Sequence, residues 1–348
     1  METATAAATT LAGPSIESLE VMLDVTYTWG YQETRQKLRD LYDKAVRGQW
    51  ISDEVLPWDT DVDLDKPTAP EYLMPLYGSD IYNKLTEKER HKVNIETFSW
   101  TLSQFMHGEQ GALLATAQLV PSVRDLDSKL YAASQVVDEA RHVDVYNRYV
   151  HTKIGFSYPC NRHLKTLLDM ILTDSRWDMK FLGMQIMVEG LALAAFGMIR
   201  QNTQEPLLKE LTAYVMGDEA RHVAFGILSL RDYYKEQPES VRREREDFVY
   251  EAARLMRDRF LFQEVWEKTG LPAKQCMEIA LHNQGQVMFR QMLFSKIVPA
   301  IKKMDLLSDR QRVRFAELGI LQFENSADPF TDHETQSPVG AVSARLAQ

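Results

Sequence analysis

The chain has 348 residues, a net charge of −10 and a pI near 5.4, with 45% hydrophobic and 26% charged residues, which is ordinary globular composition. The acidic balance argues against a nucleic-acid binder, whose usual footprint is a basic patch. Two separate cysteines, Cys160 and Cys276, form no disulfide framework and no Cys-x-x-Cys pair, so a cytoplasmic, reducing setting is expected.

Residues 1–15 are rich in Ala and Thr, lack the basic start and apolar run of a secretory signal, and are expected to be disordered. From Ile16 to Arg47, Leu19, Met22, Leu23, Val25, Leu38, Leu41 and Val46 recur at roughly helical spacing, which predicts two helices interrupted near Gly30. Pro57, Pro67, Pro70 and Pro75 make the next stretch extended, because proline cannot donate a helical hydrogen bond, and it is expected to wrap the bundle. Thr86 followed by Glu89 is a capping-box pattern that opens a helix running to about Leu119 and ended by Pro121. A second helix starts at Asp125 or Asp127 and stops near Gly155. A third is expected over Arg162 to Asn202, with its most apolar stretch, Met184 to Ile199, short of the ~20 residues that span a bilayer; no transmembrane helix is expected. Pro206 opens a fourth helix ending near Tyr234, and two flanking helices follow at about Val241 to Lys268 and Pro272 to Met304. Residues 321–348 read as a polar, disordered tail. No period-two run bounded by turn residues suggests a strand, so the chain is read as all-α with one domain over residues 16–320.

The four central helices carry a duplicated pattern. Asp-Glu-Ala-Arg-His-Val occurs at Asp138–Val143 and again at Asp218–Val223, so Glu139 with His142, and Glu219 with His222, lie one helical turn apart on one face. Glu109 and Glu189 each lie thirty residues upstream of the Glu in one copy, and antiparallel helices joined by a short turn bring such residues level. One Glu from each of two helices and a Glu-x-x-His from each of the other two is the ligand arrangement of di-iron and di-manganese bundles. Four carboxylates and two imidazoles without cysteine suit iron or manganese better than a thiolate zinc site. The expected sharing is Glu109, Glu139 and His142 with a bridging carboxylate on one metal, and Glu189, Glu219 and His222 on the other. Asp138 and Asp218 are candidates for fixing the histidine tautomers, and Arg141 and Arg221 for pairing with nearby carboxylates. His107, His151 and His282 have no such context. Leu113, Ala192, Phe196 and Phe225 are candidate lining for an apolar pocket.

At these residues the chain resembles the ferritin-like di-iron carboxylate superfamily, in the branch holding ribonucleotide reductase small subunits, multicomponent monooxygenases, acyl-carrier-protein desaturases and p-aminobenzoate N-oxygenase. The resemblance covers about Trp50 to Tyr234. It implies a ferritin-like four-helix bundle with flanking helices and two iron ions, or a Mn/Fe pair, activating O2 to hydroxylate, N-oxygenate or desaturate a small organic or acyl substrate. It also implies an external electron donor such as a ferredoxin or flavin reductase, and a homodimer without nucleic-acid or membrane partners. Two further residues carry over as catalytic candidates. Tyr146 falls four residues after His142, where the reductase subunits keep a radical tyrosine, and Asp218, with Trp50 in a similar segment, matches their radical relay. The reductase reading and a ferroxidase reading stand as alternatives. No tyrosine follows Tyr250, however, although the reductase path needs one in the C-terminal tail. The N-oxygenase keeps an additional histidine one turn before the last ligand Glu; here that position is Val215.

Overall fold

A computed structural model describes residues 16–326, and the disorder expected for residues 1–15 and for most of the tail lies outside them. Two long antiparallel hairpins form the centre. The first joins α2 (Glu87–Ser122) to α3 (Leu126–Tyr149); Thr86 and Glu89 close the expected capping box, and the Asp125 side chain caps α3 by accepting from the Ser128 N–H. Pro121 sits inside the last turn of α2 instead of ending the helix before it. The second hairpin joins Trp177–Asn202 (called α5 below) to α6 (Pro206–Leu230), where Pro206 occupies the first turn and Glu205 accepts from Leu207 and Leu208 N–H. Tyr149 at the end of α3 donates to Glu205 at 2.7 Å, tying one hairpin to the other.

The single helix expected over Arg162 to Asn202 is two: α4 (Arg162–Thr173) stops before Asp174, and α5 restarts at Trp177. Within α5, Leu182–Val188 is π-helical, and α-helix resumes at Glu189. At 26 residues, with an 18-residue window of mean hydropathy 1.7, α5 is long and apolar enough to cross a membrane by composition, so length is not what distinguishes it. In the fold it is the core helix, packed against α6 and α7 (Glu239–Arg259).

The two helices expected between Ile16 and Arg47 reduce to one, α1 (Gln36–Arg47), lying on α3 and α6. Residues 16–35 form an extended arm without regular structure. It is held along one side: Thr26 N–H donates to the Pro121 carbonyl at 2.9 Å, and Thr34 and Arg35 N–H both donate to the buried Asp127 carboxylate at 2.9 Å. Val25, Tyr27, Trp29 and Tyr31 alternate on the other side and are 68–74% exposed. Their spacing is that of an extended chain, which is why a helical reading failed. The proline-rich segment wraps the bundle as expected, with the Lys153 ammonium donating to the carbonyls of Trp58 and Thr60.

Each expected flanking helix is subdivided: α7 is followed by Gln263–Thr269, then Ala273–His282, Gln284–Met292 and Ile297–Lys303, with Asp309–Glu317 closing the layer. Phe262 in left-handed geometry and Gly270 at φ 76° mark two of the breaks. The first residues of the expected tail are ordered: Leu321–Phe323 forms a 3₁₀ turn against the core. Among the described residues there is no strand.

Candidate metal centre

Glu109 on α2, Glu139 and His142 on α3, Glu189 on α5, and Glu219 and His222 on α6 are all buried, none more than 5% exposed. They meet at one point in the bundle. The His142 Nδ1 atom lies 3.3 Å from Glu109, 3.5 Å from Glu139 and 3.1 Å from Glu219. The His222 Nδ1 atom lies 3.1 Å from Glu139, 3.6 Å from Glu219 and 3.9 Å from Glu189. Two ligand groups result, Glu109 with Glu139, His142 and Glu219, and Glu139 with Glu189 and His222. Glu139 thus belongs to both, and Glu219 is within reach of both imidazoles. The bridging carboxylate expected beside Glu109, Glu139 and His142 is Glu219, whereas the second group takes Glu139 in place of Glu219.

These are not ordinary hydrogen-bonded groups. Both Nδ1 atoms, both Glu219 oxygens and one oxygen each of Glu139 and Glu189 have no hydrogen-bond partner, although buried groups of this kind almost always do. Six inward-facing donors left unsatisfied, with four carboxylates balancing two divalent cations, fit a dinuclear metal site.

The outward faces of the histidines are fixed by the candidate aspartates, in a crossed fashion. His142 Nε2 lies 3.1 Å from Asp218, and His222 Nε2 lies 3.3 Å from Asp138, so each copy of the hexapeptide orients the imidazole of the other. Arg221 pairs with Asp218, and Arg141 spans Asp138 and Asp218. Trp50 donates its indole N–H to Asp218 at 2.8 Å, beneath the Arg141 guanidinium. Tyr146 is buried near Glu109, and its hydroxyl has no partner. His107, His151 and His282 lie elsewhere, on the Tyr158 carbonyl, the Asn147 carbonyl and Glu278.

Burial, with the charge of Glu219 adding to it, pushes the Glu109 carboxyl up to about 8, and burial with the charge of Glu139 raises Glu189 well above its ordinary value. Burial acts on Glu139 in the same sense, but His222 and His142 outweigh it and lower its value. Burial disfavours the charged form of both histidines, yet the surrounding carboxylates hold them well above the ordinary imidazole value. Without cations, then, the cluster keeps protons that metal binding releases.

Sequence reasoning missed two groups. Gln135, one turn before Glu139, donates to Glu139 at 3.0 Å and to Glu189 at 2.9 Å, and its place on the ligand face was the available signal. Arg259, the last residue of α7, has no local signal, since only the tertiary fold brings it here. It lines a cavity with Gln104, Phe105, Glu109, Glu189, Phe196 and Glu219. The cavity has about 20 Å³ of free room, enough for one molecule the size of water. Of the expected lining, Ala192 and Phe196 face this cavity, whereas Phe225 packs on Tyr131 and Phe181 in the core and Leu113 is not among the lining residues. Val215, where the N-oxygenase resemblance implies a histidine, is fully buried.

A family model described as P-aminobenzoate N-oxygenase AurF matches residues 31–305. Among solved structures, a mutant of R2-like ligand-binding oxidase with aerobically reconstituted Mn/Fe cofactor aligns at 17% identity and TM-score 0.48, covering 78% of this chain and 93% of that one. R2-like ligand-binding oxidase with aerobically reconstituted metal cofactor after photoconversion aligns at 18% identity and TM-score 0.44, covering 79% and 92%. No curated protein sequence matches.

Proposed function

The chain belongs to the P-aminobenzoate N-oxygenase AurF family, and from that membership we propose that Glu109, Glu139, His142, Glu189, Glu219 and His222 hold its two metal ions. It is an O2-dependent oxidoreductase of the di-iron class acting on a small organic substrate; a Mn/Fe pair suits the same donors. The observation that carries the assignment is the convergence of unsatisfied buried donors from four helices. When bound, the metals supply the electrons that reduce dioxygen. The chain's part is to orient and to exclude. Asp138 and Asp218 fix which imidazole nitrogen faces inward. Gln135 bridges Glu139 and Glu189 by donating to both, which fixes their relative placement. Phe105 and Phe196, ring centroids 4.8 Å apart, wall the cavity.

The external electron donor belongs to the same proposal. The sequence has no flavin or iron–sulfur motif, and Trp50, Asp218 and His142 form a continuous hydrogen-bonded row leading from near the surface to the centre. Tyr146 has no partner to stabilise a phenolate, and burial raises its pKa well above the ordinary value. It is assigned the role of a neutral hydrogen donor beside Glu109. A homodimer is also proposed, with the outward row of Val25, Tyr27, Trp29 and Tyr31 covered by a second copy, since contiguous exposed apolar surface of this kind marks an interaction site.

The test is metal analysis of the purified chain followed by oxygen-uptake measurement on the reduced protein. Two irons per chain and uptake accelerated by an arylamine are expected. Many irons stored per chain, or uptake indifferent to any organic compound, would overturn the reading.

A further inference from the structure

At the end of the bundle where α2 turns into α3, a second cavity lies among that turn, the first turn of α5, the last turn of α6 and the end of the arm. It has about 260 Å³ of free room, against about 20 Å³ beside the metal centre, and none of its lining residues is a metal ligand or borders the first cavity. Part of the lining is aromatic: Trp177 and Tyr233 are half-buried with ring centroids 4.7 Å apart, and the buried Phe181 ring is 5.9 Å from Trp177. Two arginines also line it. Arg35 is partly committed, donating to the Leu228 carbonyl and lying 3.5 Å from Asp125, whose carboxylate also accepts from the Ser128 N–H and hydroxyl. Arg124 is exposed, its charge reaches the Tyr233 hydroxyl, and among the described residues its guanidinium has neither an ion pair nor a hydrogen bond. Two arginines against one aspartate leave this lining at +1 in a chain of net charge −10. Ser229, which also lines the cavity, is 8% exposed, and its hydroxyl has no partner. Other buried helical hydroxyls donate to the carbonyl four residues back, as Ser103 does to Ser99 and Thr212 to Leu208, so Ser229 is an exception that falls at a cavity wall.

We propose that this cavity is a ligand site separate from the metal centre, and that it takes a planar aromatic phosphate, with the ring on Trp177 and Tyr233 and the phosphate at Arg124 and Arg35. A phosphate monoester carries about −1.5 to −2 charge at neutral pH, and a guanidinium presents paired N–H donors that match its oxygens. One arginine already half-neutralised by Asp125 and one wholly uncommitted offer more positive charge than a single carboxylate needs. The Trp177 and Tyr233 planes are inclined by 59°, so they form a corner, and a flat ring lies against one face with its edge to the other. Ser229 is the polar group left for a substituent on that ring. Nucleoside monophosphates and flavin mononucleotide share this chemistry. Because Arg35 ends an arm whose backbone is held by Asp127, the occupant joins the arm to the bundle. The competing account is a solvated notch in which Arg124 is an ordinary surface charge, and the two differ in whether Arg124 and Trp177 act on the same ligand.

The experiment is calorimetric titration of the iron-loaded full-length chain with phenyl phosphate, and with phenol and inorganic phosphate as its two halves, in the native chain, R124Q, R124K and W177L. Phenyl phosphate is expected to bind the native chain more tightly than either half. It should weaken about 10-fold in R124Q, the low end for losing a charged hydrogen bond because Arg124 is exposed, and less in R124K. In W177L it should weaken about 3- to 10-fold, the range for losing an aromatic pair. No phenyl phosphate binding, or an affinity unchanged in R124Q, would overturn the proposal. Inorganic phosphate binding as tightly as phenyl phosphate and indifferent to both positions would place the anion on the iron and overturn it equally. Arg124 makes no side-chain contact that folding needs, so R124Q carries the test if W177L does not fold. Adenosine monophosphate and flavin mononucleotide, titrated in the same four chains, separate the two sources of the shared chemistry: the one that binds more tightly than phenyl phosphate and loses that affinity in R124Q is the occupant.

Discussion

At the scale of single residues, six side chains could be named from two copies of one hexapeptide and two upstream glutamates, because helical spacing fixes which residues share a face. Which atoms point inward could not be read, nor that Asp138 serves His222 and Asp218 serves His142, since both depend on how α3 and α6 are set against each other. Glu139→Ala or His222→Ala is expected to abolish stoichiometric iron binding while far-ultraviolet circular dichroism stays helical; retention of two irons in either variant would refute the ligand assignment. Asp218→Asn leaves the ligands in place but disturbs the His142 tautomer, and should weaken iron about 10- to 100-fold in a chelator competition, with unchanged affinity counting against it. Away from the centre, Lys180 is fully buried on the carbonyls of Ile171 and Leu172, and burial lowers its ammonium from 10.5 to about 8. Between those two values the unfolded chain binds the proton and the folded chain does not, so this group makes stability rise with pH across that window and is destabilising below it. Denaturant melts at pH 8 and pH 10 should show a smaller gain in Lys180→Gln than in the native chain, and equal gains would remove the claim.

At the scale of elements, the helices with strong local signals matched their caps, as at Thr86, Asp125 and Pro206. What was illegible were the departures from α geometry. The π-helical turn Leu182–Val188 has no residue signature, and it resets the face that α5 presents just before Glu189, a common position for such turns at functional sites. The turn is held by close packing: a Cβ at Gly226 on α6 would lie 2.8 Å from the Gln185 Cβ and 3.0 Å from the Ile186 side chain. Gly226→Ala should therefore cost about 1–3 kcal/mol in a denaturant melt, the usual range for overpacking, and a neutral result would mean that the π turn is not clamped by α6. The extended arm was misread for a related reason. Its apolar residues face outward at period two, and a count of hydrophobic positions takes them for a helical stripe.

At the scale of the whole molecule, the all-α class and the bundle were legible because long periodic segments separated by proline and polar turns leave few other solutions. The docking of the arm was not, because it depends on Asp127, a carboxylate 93 residues from the Thr34 amide that it accepts from. Sedimentation should find the native chain dimeric and a Tyr27→Ser/Trp29→Ser double variant monomeric; a native monomer would remove the proposed interface. The crossed aspartates and the doubly shared Glu139 have one more result. Neither half of the duplicated pattern makes a complete nest for an ion alone, so the first ion to arrive draws together the groups awaiting the second. Occupancy should then climb from none to two with little of the singly filled form in between, and a ferrous titration followed by native mass spectrometry would expose any lasting plateau at one.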